Sequence, residues 1–166
     1  MSMKKILCLD FDGVIHSYTS GWKGARTIPD PPIPGALEFL VRALEHFQVA
    51  ILSSRSHQLG GRYAMKRWLR KHLIEAGQDC AATPEWWQRQ MSKTAFADPW
   101  DDEVAYATSK IIKQIQWPKH KPPATLSIDD RAMRFSGVWP SFEAIQKFKP
   151  YKHDMRLKTI HGGDIP

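Results

Sequence analysis

The sequence predicts an α/β fold, a Rossmann-like parallel sheet with helices on both faces, formed as one domain over residues 1–166. Three observations carry that prediction. Apolar runs without polar alternation, such as Ile6, Leu7, Cys8 and Leu9, mark strands buried on both faces of a sheet. Segments with apolar residues at helical spacing separate these runs. Strands separated by helices imply right-handed crossovers between parallel neighbours.

The first strand lies in KKILCLDFDGV and delivers Asp10 and Asp12 at its carboxyl end, with Gly13 supplying the freedom for a tight turn. Residues 15–34 are rich in Gly, Pro, Ser and Thr, include PDPPIP, and are expected as a loop or flap. A helix is expected over about 35–46, with Leu37, Leu40, Val41 and Leu44 on one face. FQVAILSS supplies the second core strand. Near 60–76 a helix places Arg62, Lys66, Arg67, Arg70 and Lys71 opposite an apolar stripe of Met65, Trp68, Leu69, Leu73 and Ala76. DCAAT reads as a short edge strand, and PEWWQRQMSKTAFADPW as an irregular Trp-rich segment in which Trp86, Trp87 and Trp100 are expected to serve packing, with stacking on bases as the alternative. The next helix opens with Asp101, Asp102 and Glu103, anions suited to its positive end, and turns Val104, Ile111, Ile112 and Ile115 inward. Strand ATLSIDD comes next. WPSFEAIQKF closes the regular part with a short helix capped by Ser141, and 150–166 form a polar tail.

Composition excludes several classes. Hydrophobic content of 42% and charged content of 25% are ordinary for a globular protein. No apolar run approaches a membrane span, and MSMKK leads straight into a strand, so the expectation is a cytoplasmic chain with no membrane partner. Cys8 and Cys80 form neither a disulfide framework nor a metal spacing. The 24 Lys and Arg against 17 Asp and Glu give a net charge of +7, which attracts phosphate-bearing partners, nucleic acid among them. The cationic helix face by itself reads as an ordinary solvated surface.

The chemistry gathers at strand ends. FQVAILSSRS finishes with Ser53, Ser54 and Arg55, and KPPATLSIDDRA with Asp129 and Asp130. Taken singly, each has a bland explanation: an Asp-Gly turn, serines satisfying backbone groups, a solvated lysine at Lys121. If the three strands are neighbours, their carboxyl ends place four carboxylates, hydroxyls and cations in one crevice. Clustered carboxylates repel unless a cation sits between them, and oxygen ligands suit magnesium.

In these motifs the chain resembles the haloacid dehalogenase-like superfamily of phosphohydrolases. LDFDGV looks like the first motif of that family, the serine ending VAILSSRS its second, a lysine upstream of the last motif its third, and SIDDRA its fourth. The resemblance runs from Lys4 to about Trp139. SSRS and KPPATLSIDDRA are similar to small bacterial and phage members, including phosphatase modules of polynucleotide kinase-phosphatases and RNA-repair proteins. The resemblance implies a phosphatase working through an aspartyl-phosphate on Asp10, with Asp12 as acid and then base. It implies Mg²⁺ on Asp10, the Asp12 backbone carbonyl and the Asp129–Asp130 pair, with Asp130 the direct ligand and Asp129 acting through water. Ser53 would bind a phosphoryl oxygen and Lys121 would neutralise its charge, with Lys110, Lys113 and Lys119 as competitors for that role. Ser54, Arg55 and His16 are expected to touch substrate, and Tyr18, Trp22 and Lys23 to line the entrance beside His16. The dehalogenase branch uses neither the second acid nor a magnesium site. The short first gap leaves no room for a helical cap, so an open site is expected, suited to phosphorylated substrates as large as nucleic-acid ends. The alternative is a catalytically idle nucleic-acid or protein-binding module on the same fold.

Overall fold

Among the described residues, β1 (Ile6–Leu9) runs between β2 (Gln48–Ile51) and β3 (Leu126–Ile128) in a three-stranded parallel sheet of order β2-β1-β3. The computed structural model describes residues 3–78, 84–92, 103–134 and 136–149. Register positions the strand ends: Leu9 pairs with Ile51 on one side and with Ile128 on the other. All three strands therefore end level. The ladder continues one step, Leu52 N–H donating to the Leu9 carbonyl at 3.0 Å and Asp10 N–H to the Ile128 carbonyl at 2.9 Å. Asp10 and Asp129, the residues just beyond β1 and β3, thus leave the sheet side by side, and Ser53 follows two residues past β2.

The apolar letters of β1 and β2 are buried as their continuous runs predict; Leu7, Leu9, Val49 and Ile51 are each at most 3% exposed. β3 differs. It lies at the end of the strand order, and Leu126 is 60% exposed. The outer edge of β2 is met by Gln116, whose N–H donates to Val49 O and whose carbonyl accepts from Ile51 N–H, both at 2.9 Å. The expected edge strand DCAAT, residues 79–83, lies outside the described residues, as do Cys80, Trp100, Asp101, Asp102 and the 150–166 tail.

Helices α1 (Ala36–His46), α2 (Gly61–Gln78), α4 (Glu103–Gln114) and α5 (Phe142–Lys147) fall where helical spacing places them. Leu40, Val41 and Leu44 of α1 and Met65, Trp68, Leu69 and Leu73 of α2 face the core. Ser141 caps α5, its hydroxyl accepting from Ala144 N–H at 3.1 Å. One correction concerns the Trp-rich segment, whose first half is the helix α3 (Glu85–Ser92). Pro84 starts it, its carbonyl accepting from Trp87 and Gln88 N–H. Trp87 is fully buried and stacks on Trp86 with ring centroids 5.7 Å apart. Gly77 makes room for it, since a Cβ there would lie 2.0 Å from the indole nitrogen. Packing is the role of this Trp pair.

Residues 15–34 contain no helix or strand, as expected, but the loop is tied down. Ser17 N–H donates to Pro31 O and Ile33 N–H to Ile15 O, which closes the loop at its base.

Candidate active site

Asp10 directly succeeds β1. Its Oδ1 accepts from the Phe11 N–H at 2.7 Å. Burial nevertheless pushes its pKa up to about 7, against the stabilising Phe11 N–H and with added repulsion from Asp129, Asp12 and Asp130. Two residues past β3, the Asp130 side chain is only 3% exposed and packs against Gly13. A Cβ at Gly13 would lie 2.6 Å from Asp130 Oδ2, and the Gly13 φ of +88° is itself unsuited to a side chain. Burial raises the Asp130 pKa against the nearby Arg131 charge.

Asp10, Asp129 and Asp130 each present a carboxylate oxygen within 4.8 Å of the other two. Asp130 Oδ1 is buried with no hydrogen-bond partner among the described residues. A buried carboxylate oxygen without a donor is costly, and three oxygens converging at that spacing match the ligand chemistry of a hard divalent cation. The donor set fits Mg²⁺.

Asp12 is placed differently. Its carboxylate turns inward, where Arg55 Nε donates to both oxygens at 2.8 and 3.2 Å, and Ser53 Oγ lies 3.4 Å from Oδ2. His16 Nδ1 sits 2.8 Å from Oδ1, while His16 Nε2 accepts from Asp30 N–H at 3.3 Å, so the proton on Nδ1 points at Asp12. Burial works to raise the Asp12 pKa, but the hydrogen bonds from His16 and Arg55 and the Arg55 charge overcome it and hold the carboxyl below its ordinary range. The two acids of the first motif therefore lie in opposite environments, Asp10 beside other carboxylates with the Phe11 N–H as its donor and Asp12 among the side-chain donors of Arg55, Ser53 and His16.

A cavity of about 400 Å³ opens over the strand ends, lined by Asp10, Asp12 and Asp129 on its acidic side and by Ser53, Ser54 and Lys121 facing them. Lys119, the neighbouring candidate, lines it as well. His57, Arg131 and Tyr18 complete the wall. His57 and Arg131 carried no sequence assignment, although each stands within two residues of an assigned one. Tyr18 takes a left-handed backbone (φ 56°) and lies under the Arg131 guanidinium, 5.7 Å from its ring centroid.

Two expectations are corrected. Arg55 and His16 do not reach the cavity; both are fully buried. Besides gripping Asp12, Arg55 Nη1 donates to the carbonyls of Gly24, Ala25 and Thr27 at 2.7 to 3.1 Å, and its guanidinium lies 4.6 Å from the Trp22 ring centroid. It ties the middle of the flap to the first motif. Trp22 is thereby engaged with Arg55 rather than placed on the cavity wall, and Lys23 does not line the cavity either. Among the described residues no helix is long and apolar enough to cross a membrane. Comparison with protein-family models, with curated proteins and with solved structures returns no match.

Proposed function

We propose that this protein is a Mg²⁺-dependent phosphatase of the haloacid dehalogenase-like kind, its small parallel sheet belonging to a Rossmann-like fold with helices on both faces. The observation that carries the reading is the convergence of Asp10, Asp129 and Asp130 at the ends of adjacent parallel strands, with Asp130 Oδ1 unpartnered among the described residues and with Asp10 and Asp129 sharing one cavity with Ser53 and Lys121. Bound there, Mg²⁺ would offset the repulsion between an anionic nucleophile and a phosphate.

The chain's own groups then have distinct tasks. An Asp10 carboxylate oxygen attacks phosphorus as the bond to the leaving oxygen breaks, giving an aspartyl-phosphate and splitting one hard hydrolysis into two easier steps. Ser53 donates to a phosphoryl oxygen, and Lys121 balances the charge that gathers on it. Asp12 supplies a proton to the leaving oxygen in the first step and removes one from water in the second, when the water oxygen takes phosphorus from Asp10. Held as a carboxylate by His16 and Arg55, Asp12 is ready for the second task and must be protonated for the first. Aryl phosphates, whose leaving groups need little protonation, are therefore the better test substrates. Turnover of p-nitrophenyl phosphate that requires Mg²⁺ and vanishes in Asp10→Asn is the expected result. Turnover by wild type and Asp10→Asn alike would overturn the reading, and no turnover by wild type would leave the idle binding module.

A further inference from the structure

A second depression, of about 530 Å³, lies between the flap and α2. Its floor is apolar, built on Trp68, Ile28 and Ala64, while Arg26 from the flap and Arg67 and Lys71 from α2 stand on its rim. Among the described residues no acidic side chain lines it. Tyr63 lines it too, with 71% of its surface exposed. Tyr63, Arg67 and Lys71 recur every four residues along α2, which puts them in one stripe with about 6 Å between successive positions at 1.5 Å rise per residue.

The other cations of α2 behave differently. Arg62 donates to the Trp117 carbonyl at 3.2 Å, Arg70 to Ser109 Oγ at 2.8 Å, and Lys66 lies over the Trp117 ring. Those three hold α2 against its neighbours. Arg26 and Arg67 make no hydrogen bond or ion pair among the described residues, and Lys71 has only a 3.7 Å contact with Glu75, which stands outside the depression. Cations so lightly engaged beside an exposed aromatic ring form the pairing that tracks a single-stranded nucleic acid, cations for the phosphodiester and the ring for a base.

Position supports the same occupant. One turn separates the two cavities: His57 lines the catalytic one and Gly60 the depression, so the chain between them spans at most about 11 Å. The Arg26 side chain closes over Gly60, which links the rim to that turn.

We propose that this groove binds the single-stranded nucleic-acid segment adjoining a phosphorylated end whose terminal phosphate occupies the Asp10 cavity; the role of the end rests on the phosphatase reading, the groove does not. An acidic peptide would find the cations but would have no use for the Tyr63 face.

The test uses fluorescence anisotropy on the full chain with a short fluorescein-labelled single strand bearing hydroxyl ends, as DNA and as RNA of one sequence, so that the tighter form identifies the sugar. With no phosphomonoester present, binding reports the groove alone. Tyr63, Arg67 and Lys71 are exposed, so their variants keep the fold, and a thermal melt verifies it. Arg67→Ala combined with Lys71→Ala should weaken binding by about tenfold or more and reduce the slope of log affinity against log salt by about 1.4, at about 0.7 per cation lost. Tyr63→Ala should weaken it by about tenfold with the slope unchanged, as loss of stacking without loss of charge requires. Aryl phosphate turnover should stay at the wild-type level in both variants. Wild-type affinity in the Arg67/Lys71 variant would overturn the proposal. So would an unaffected Tyr63→Ala with equal binding of heparin, which would leave a general polyanion surface. Tight strand binding by a chain without phosphatase activity would sink the phosphatase reading and keep the groove; activity without strand binding would do the reverse.

Discussion

The surroundings of Asp10 resist its ionisation, and Asp130 stands beside it with an oxygen that no donor among the described residues satisfies. Without metal, the folded Asp10 carboxyl titrates near 7 against 3.8 in its ordinary state, so ionising it works against folding across that window. The Asp10 contribution to stability is accordingly favourable at low pH and is lost as pH rises from about 4 to about 7. In chelator, Asp10→Asn should therefore gain stability over wild type on going from pH 5 to pH 8, and denaturant melts of the two at both pH values check it. Protons and metal compete for the same oxygens, so Mg²⁺ affinity should rise from pH 6 to pH 8, as titration calorimetry would read. Gly13→Ala probes the other side of the cluster. The added Cβ collides with Asp130 and forces a backbone of φ +88° on alanine, so loss of most Mg²⁺-dependent turnover is expected. Full turnover in Gly13→Ala would show that Asp130 need not sit against that glycine.

Among elements, the flap shows both how far local sequence reaches and where it stops. Its irregular character is plain in Gly, Pro and Ser content, and the ends of β1 and β2 are plain in apolar runs closed by polar residues, because those signals are local. The grip of Arg55 on Asp12 and on three flap carbonyls joins residues up to 43 positions apart, and no local pattern announces it. An arginine after two serines at a strand end reads as solvent-facing; only the closed loop above it makes the site an interior. α3 was illegible for a different reason: EWWQRQMS is only 8 residues long, and its apolar residues at helical spacing reduce to the pair Trp87 and Met91, too short a stripe to announce a helix. Arg55→Met should break a buried ion pair and release the flap, costing about 3–5 kcal/mol because Asp12 stays behind as an uncompensated charge. Arg55→Lys should recover only part of this, since one ammonium cannot hold both Asp12 and three carbonyls. A denaturation midpoint within error of wild type in Arg55→Met would show that the tie contributes little.

At the scale of the whole molecule, the acidic cluster sits in a chain of net charge +7, so the metal site is a local sink in a positive field. A ligand that binds only the folded chain stabilises it by mass action, about 2.7 kcal/mol at a hundredfold excess over Kd. Thermal melts should accordingly shift upward with Mg²⁺. Asp130→Ala should lose most of that shift, retaining only what Asp10 and Asp129 hold together. An identical shift in the variant would move the ligand role away from Asp130. The parallel pairing was legible in the alternation of strand and helix patterns, whereas the order β2-β1-β3 and the level strand ends are set by long-range pairing that the alternation leaves open. What the alternation did not disclose was that the outer edge of β2 is met by Gln116.

The closed base of the 15–34 loop bears on how the chain would survive damage. Its two arms are stitched to each other at Ser17–Pro31 and Ile15–Ile33, and Arg55 anchors the stretch between from beneath. A protease that cut once near Trp22 or Lys23, both exposed, would leave two fragments still clasped in a non-covalent complex. The loop is in that sense a natural splice point: new termini opened there would cost the fold little.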